Sequence, residues 1–145
     1  MQAVQDGSRW MLRLEEGQDI FEALTGFARK ERIRAATVVF GIGMLGRATL
    51  GYWDGTAYQP HEVPTPHELV ALHGTIAESD GEPSVHLHGG LAGPTGALIG
   101  GHLLKATVGV LAEILVDTFP GRTFERPFVE SRGLRMLDLG PGTSV

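Results

Sequence analysis

The order of apolar and polar side chains predicts a chain made mostly of β-strands, with one clear helix near the N-terminus. Residues 9–14 (RWMLRL) alternate as a half-buried strand does. A helical stripe of apolar residues then begins at Asp19 and ends at Arg29 and Lys30. Asp19 followed by Glu22 resembles a capping box, which satisfies the first backbone N–H groups of a helix. The N-terminal part therefore predicts a strand followed by a helix.

Further along the chain, apolar runs bounded by glycine, proline and Asp-Gly turns predict more strands. These runs are residues 35–40, 47–52, 69–76, 84–91, 99–104 and 134–139. The glycines at 41–43 interrupt the pattern, which predicts a bulge or a close backbone approach. Asp54-Gly55 is typical of a hairpin turn. Residues 59–66 hold three prolines, which predicts an edge strand or a loop. Residues 108–119 suit a strand by their β-branched side chains, or a helix by their Leu, Ala and Glu content.

Strands clearly outnumber helices in this pattern, which indicates an α+β fold with a mainly antiparallel or mixed sheet. The length of 145 residues suits one domain. We expect this domain to span residues 9–139, with flexible tails at 1–8 and 140–145. The longest apolar run, residues 108–116, contains Glu113 and is too short to cross a bilayer, so no membrane role is expected.

Composition and charge narrow the possible functions. The chain has no cysteine, which excludes disulfides and thiolate metal sites and is consistent with a reducing cytoplasm. Its net charge of −5 predicts weak nonspecific DNA binding, because that binding depends on Lys and Arg. A local basic cluster exists at Arg29, Lys30, Arg32 and Arg34, but cations are favoured at the C-terminus of any helix.

The histidines offer the best candidate chemistry. His86 and His88 are two apart on a predicted strand, so both side chains lie on one face. His102 follows Gly-Gly, and a loop at 93–96 can fold it back beside the first pair. Three nitrogen ligands without cysteine suit Zn²⁺, with Ni, Fe or Mn as alternatives, and they leave one position for water or substrate. The same pattern also fits ordinary strand histidines that bind no metal.

Two carboxylates and a fourth histidine extend this candidate site. Glu113 lies in an apolar run, where an unpaired carboxylate is costly. It can orient a ligand imidazole, act as general base on a metal-bound water, or simply pair with an arginine at an edge or interface. Glu68 has the same alternatives. His61, His67 and His73 are expected to be solvated, and the alternative for His73 is a role as a fourth ligand.

Three separated motifs occur in an order that is found in a known domain family. The first is FGIGML at 40–45 with TLGYWD at 49–54, and the second is ELVALHGTI at 68–76. The third is HLH at 86–88 followed by GGHLL at 100–104. These motifs resemble those of the PPC domain, which is conserved in plants and prokaryotes.

The resemblance covers about residues 10–139 and implies an α+β fold assembled as a homotrimer. It also implies, from some prokaryotic members, a metal bound by His86, His88 and His102. Plant members carry the domain beside AT-hook motifs in DNA-binding regulators, and stand-alone prokaryotic members are commonly named as DNA-binding. This sequence lacks the Gly-Arg-Pro core of an AT-hook.

These observations favour a stand-alone, homotrimeric metal-binding module with a regulatory or binding role, whose further partners are proteins or DNA. The alternative is a Zn-dependent enzyme of unknown substrate, in which Glu113 or Glu68 handles protons at the open coordination position. A purely structural metal site is a third hypothesis. The residues predicted to line a trimer interface are Ile42, Met44, Leu103 and Leu111.

Overall fold

The computed structural model describes residues 1–141, most of which belong to one sheet. Its strands are β1 (Gln2–Asp6), β2 (Arg9–Glu15), β3 (Ala36–Trp53), β4 (Tyr58–Val63), β5 (His67–Ser79), β6 (Glu82–Ala92) and β7 (Leu98–Thr118), with a separate pair, β8 (Phe128–Val129) and β9 (Leu134–Arg135). One α-helix, α1 (Ile20–Glu31), and one 3-10 turn, Glu130–Arg132, are added to them. All strand pairings are antiparallel, which confirms the predicted α+β fold. Neither helical element in this range is long and apolar enough to span a bilayer.

The order of the large sheet is β1-β2-β7-β6-β5-β3-β4, and β7 also pairs with β3. The second pairing closes a ring of strands, β3–β5–β6–β7–β3. Val38 illustrates the closure, because it lies opposite Gly74 of β5 and opposite Val116 of β7. The ring places β6 between β5 and β7, so side chains from three neighbouring strands meet on one face.

Strands β3 and β7 are longer than the sequence pattern predicts. The glycines at 41–43 do not end β3, and the segment 108–119, which suited a strand or a helix, belongs almost entirely to β7. Gly43 explains the continuity, because its φ is +143° and a Cβ there would lie 2.2 Å from the Leu111 carbonyl oxygen. A register shift between Gly43 and Leu45 marks an irregularity in the β3–β7 pairing. Glycine therefore permits close approach of the two strands at this point.

Helix α1 begins and ends as its sequence predicts. The Asp19 side chain accepts hydrogen bonds from the backbone N–H groups of Phe21 and Glu22, at 2.8 and 3.0 Å. Arg32 ends the helix in a left-handed conformation, with φ of 56°. The apolar face of the helix, which includes Leu24, is buried in the main core.

Burial in the main hydrophobic core contradicts the predicted interface role of one residue, Leu103. Leu103 has no exposed surface and packs in the core, so its assignment to an interface is wrong. Ile42 and Leu111, two other residues of that set, are 46% and 37% exposed. Leu103 and Leu111 are eight residues apart on β7, so uninterrupted alternation would place both side chains on one face. The register shifts of the β3–β7 pairing lie between them and interrupt that alternation, so that one is buried and the other is exposed.

Segments near both ends of the described chain pair with neighbouring strands. Residues 1–8 contain β1, whose residues lie opposite β2 after a turn at Gly7 with φ of 58°. Residues 119–139, here called the C-terminal segment, run beside the end of β5. The Glu78 N–H donates to the Phe124 carbonyl at 2.8 Å, and the Arg126 N–H donates to the Glu78 carbonyl at 2.7 Å. Of the predicted tail at 140–145, residues 142–145 lie outside the described range.

Candidate metal centre

Three histidines from two neighbouring strands form one cluster. His86 and His88 flank the fully buried Leu87 on β6, so both imidazoles lie on the opposite face from that leucine. His102 on β7 lies directly opposite His88 in the strand register. The ring centroids are 4.7 Å apart for His86 and His102, and 5.2 Å apart for each of the other two pairs.

The nitrogens of this cluster fit a metal ion. One nitrogen from each ring lies within 4.8 Å of the other two. Zinc–nitrogen bonds of about 2.0–2.1 Å in a tetrahedral site bring ligand nitrogens to about 3.4 Å of one another, so small side-chain rotations suffice to close the site. The Nε2 atom of His86 is buried without a hydrogen-bond partner, which is unfavourable unless a ligand compensates. A divalent ion held by the three imidazoles would supply that compensation.

Glycines hold the strands of the cluster close together. A Cβ at Gly74 of β5 would lie 1.9 Å from the His86 carbonyl oxygen. A Cβ at Gly100 of β7 would lie 2.7 Å from the Gly89 carbonyl oxygen. Side chains at these positions would push β6 away from its neighbours, so the glycines fix the backbone from which His86 and the other imidazoles project.

Two further side chains hold the outer nitrogens of the cluster. Arg126, from the C-terminal segment, donates from Nη1 to His86 Nδ1 at 2.9 Å and from Nη2 to Thr75 Oγ1. The Tyr58 hydroxyl lies 3.2 Å from His102 Nδ1. Both contacts are made by Nδ1, of His86 and of His102. Metal-bound histidines commonly donate their second N–H to an acceptor, as His102 can to the Tyr58 oxygen. Arg126 can only donate, so while it contacts His86 Nδ1 a neutral His86 ring carries its proton on Nε2, and binding of a metal through Nε2 requires that contact to be replaced.

Burial lowers the pKa of two histidines of the cluster, His86 and His102. It lowers the pKa of His86 to about 4, with Arg126 and the other two histidines adding to the effect. The pKa of His102 is lowered as well, first by burial and then by His88 and Arg126. Neutral rings at pH 7 keep their lone pairs for a metal, because a protonated imidazole cannot be a ligand.

His73 is near the cluster but is occupied by another contact. It lies directly opposite His88 on β5. Its Nδ1 lies 2.8 Å from the Val39 carbonyl oxygen, and its nitrogens are not part of the converging group. His61 is exposed, as expected, and His67 is half-buried with its Nδ1 2.9 Å from the Thr65 carbonyl oxygen.

The two carboxylates proposed from the sequence lie away from the cluster. Glu113 is eleven residues beyond His102 on the same strand, about 35 Å along an extended chain. Glu68 is five residues before His73 on β5, about 17 Å along the strand, and it is exposed. Within one chain, therefore, neither Glu113 nor Glu68 lies beside the ligand imidazoles.

Sequence reasoning missed Arg126 and Tyr58. Tyr58 is the first residue of β4 and follows the predicted Asp54-Gly55 turn. Pairing of β4 with β3 across that turn could have placed Tyr58 opposite Trp53. Arg126 had no such signal, because it comes from irregular chain 40 residues after His86. Its role is visible only from the path of the C-terminal segment.

Comparison with known proteins finds one matching domain family and several similar proteins. Residues 1–120 match the Plants and Prokaryotes Conserved (PCC) domain. The bifunctional protein GlmU of Synechococcus sp. (strain JA-2-3B'a(2-13)) is 34% identical over 131 residues, which cover 90% of this chain and 20% of that protein. The chain thus spans about a fifth of the length of the curated relatives it matches.

Two solved structures have the same fold. A protein of Ralstonia eutropha JMP134 with a provisional DNA-binding name is 28% identical, with a TM-score of 0.87 over 94% of this chain and 95% of that one. A protein of Archaeoglobus fulgidus, described as metal-containing, is 33% identical, with a TM-score of 0.83 over 91% of this chain and 94% of that one.

Proposed function

The chain belongs to the Plants and Prokaryotes Conserved domain family, and on that premise we propose that it is a homotrimeric metal-binding module. In this proposal His86, His88 and His102 bind one divalent ion per chain through a ring nitrogen each. The observation that supports it most directly is the convergence of one nitrogen from each of the three imidazoles, all within 4.8 Å of one another. The metal-containing relative from Archaeoglobus fulgidus adds support.

Zn²⁺ is the metal we propose first, with another divalent transition metal as the alternative. Imidazole nitrogens suit zinc and several of its neighbours, whereas Ca²⁺ and Mg²⁺ prefer oxygen ligands. Three protein ligands leave one position for an external ligand, which is typical of zinc sites that bind or transform a small molecule. A structural zinc usually has four protein ligands, so a purely structural role is less favoured.

Exposed apolar side chains support the proposed trimer. Ile42 on β3 and Val110 and Leu111 on β7 are 46%, 58% and 37% exposed. Apolar side chains on neighbouring strands are costly to leave in water and are common in symmetric interfaces. The proposed folded unit remains residues 9–139, although β1 adds a strand before it. The proposed location is the cytoplasm, which is consistent with the lack of cysteine.

The proposed partners are other copies of the chain, with proteins favoured over DNA as further partners. The relative from Ralstonia eutropha carries a provisional DNA-binding name, which motivates a test with DNA. Nonspecific binding should be weak, because 17 acidic residues oppose 12 basic ones and repel phosphates. Submicromolar binding of random duplex near 150 mM salt, measured by fluorescence anisotropy, would contradict this part of the proposal.

A Zn-dependent enzyme is the second candidate function. The open coordination position beside the three imidazoles motivates it. Since Glu113 and Glu68 lie far from the cluster, the proton-handling group in this version would be Tyr58, whose hydroxyl contacts His102. The module is preferred, because no carboxylate base accompanies the metal in the described chain.

Elemental analysis of protein purified without added metal tests the proposal. We expect about one divalent ion per chain, and a His86→Ala/His88→Ala double variant should lose it. A His61→Ala/His67→Ala double variant is the matched control, because it removes two imidazoles outside the cluster and should keep the metal. Equal metal content in all three proteins would refute the proposed site.

A further inference from the structure

Arg126 is a buried cation at the edge of the histidine cluster. It is 7% exposed, and its guanidinium is held by His86 Nδ1 and Thr75 Oγ1. Its Nε atom is buried without a hydrogen-bond partner. Burying a guanidinium is costly unless an opposite charge compensates it.

No carboxylate supplies that charge within residues 1–141. The ion pairs found there involve other cations, each with a side chain at least 40% exposed. The groups that contact Arg126 through its guanidinium are an imidazole and a hydroxyl, which are neutral. The cluster therefore combines a buried positive charge with neutral partners, and a bound divalent ion would increase the excess of positive charge.

The remaining polar groups around the cluster are also able to donate hydrogen bonds. Where His102 Nδ1 donates to the Tyr58 oxygen, the Tyr58 hydroxyl keeps its own hydrogen for another acceptor. The Thr75 hydroxyl, which accepts from Arg126, likewise keeps a hydrogen to donate. A group of donors with excess positive charge and no carboxylate among its acceptors is suited to an external oxyanion.

We propose that Arg126 makes the histidine cluster a binding site for a small oxyanion, either a carboxylate or a phosphate group. The anion would occupy the open position of the proposed metal site, and Arg126 would supply the charge that retains it. This inference rests on the proposed function, because the anion would bind at the proposed metal site. The contribution of Arg126 to anion binding can also be tested in the metal-free protein. It also assigns a role to the C-terminal segment, which lies beyond the matched domain residues 1–120.

The test uses the full chain loaded with Co²⁺, whose visible absorption reports changes in the metal ligands. Inorganic phosphate and acetate are titrated separately, so the two arms distinguish the two sources of oxyanion. We expect at least one of them to change the spectrum with saturation. Because Arg126 contacts a ligand histidine, Arg126→Gln is compared with the wild type at saturating Co²⁺, where it should weaken anion binding by about 10- to 100-fold, the usual effect of losing a charged hydrogen-bond donor. The anion affinity of Arg126→Lys, which keeps the charge, should lie between the affinities of the wild type and Arg126→Gln.

Controls separate this inference from the metal proposal. Arg132→Gln removes an exposed cation of the same segment and should bind the anion as the wild type does. If Co²⁺ binds and neither anion changes the spectrum, the oxyanion inference is wrong and the metal site stands. If no metal binds, the metal proposal fails, and calorimetry on the metal-free protein decides the rest. The role of Arg126 is upheld if the metal-free wild type and Arg126→Lys bind the anion and Arg126→Gln does not. It is overturned if the metal-free wild type does not bind the anion.

Discussion

The two ends of strand β7 carry polar groups with different surroundings. At the N-terminal end, His102 lies opposite His88 and close to His86, so three imidazoles meet. At the other end, Glu113 lies opposite Arg13 of β2 and Ile42 of β3, and the Arg13 guanidinium bonds Glu15 instead. A polar residue in an apolar strand therefore gains a chemical role only where neighbouring strands bring matching groups to it.

The difference follows from how each residue is connected in sequence. His86, His88 and His102 lie on two strands joined by a short hairpin, so their meeting depends on local geometry. Glu113 could reach them only if its own strand folded back, and β7 continues without a break instead. Predictions about the two ends can test this account, beginning with the largest expected effect.

Replacing Gly74 with Val should disrupt the histidine end most strongly. Its Cβ would lie 1.9 Å from the His86 carbonyl oxygen, so β5 and β6 would have to separate. We expect a loss of about 3 kcal/mol in the free energy of unfolding, measured with urea, together with loss of stoichiometric metal. Gly26→Ala is the control, because no atom lies within 4 Å of the added Cβ and alanine favours a helix. Similar stability of Gly74→Val and wild type would contradict the close approach.

Acid should destabilise the metal-free protein through His86, one of the clustered histidines. The pKa of His86 is about 4 in the folded chain and about 6.5 in an unfolded one. As the pH falls below about 6.5, the unfolded state takes up a proton that the folded state does not, so stability decreases until about pH 4. The loss should be on the order of 1–2 kcal/mol after solvent screening.

Urea unfolding at several pH values measures this loss. His86→Gln should flatten the dependence over that window, and His61→Gln, at an exposed position, should leave it unchanged. An unaltered pH profile in His86→Gln would show that another group causes the dependence.

Removing the Tyr58 hydroxyl should weaken metal binding moderately. Tyr58→Phe keeps the ring but removes the contact with His102 Nδ1. We expect the metal affinity to fall by about 10-fold, because groups that hold the second nitrogen of a ligand histidine usually contribute 10- to 100-fold. Competition with a metal-binding dye measures the change, and Tyr52→Phe, at a 73% exposed tyrosine, serves as the control. An affinity equal to wild type would remove Tyr58 from the account.

Changing the other end of β7 should leave the metal unaffected. Glu113→Gln retains the size of the side chain and lies eleven residues from His102. We therefore expect unchanged metal affinity by the same dye competition, with any effect limited to the assembly mass measured by light scattering. A fall in affinity of about 10-fold would mean that Glu113 reaches the metal, for which a second copy of the chain would be required.

Sequence could predict the features that depend on short separations along the chain. The capping of α1 by Asp19 and the shared face of His86 and His88 follow from local spacing, and both agree with the structure. The glycines at 41–43 predict a bulge or a close backbone approach, and the register shift and the short distance to Leu111 at Gly43 agree with this, but the identity of the partner strand, about 70 residues away, does not follow from local spacing. Arg126 reaches the cluster from irregular chain, where no periodic pattern predicts the direction of a side chain.

The most direct test of the central claim is a crystal structure of protein purified without added metal, with anomalous scattering recorded at the zinc edge. The account predicts one anomalous peak per chain, about 2.0–2.1 Å from a nitrogen of His86, His88 and His102. A peak bound by other residues, or no peak beside ordered imidazoles at full occupancy, would contradict it.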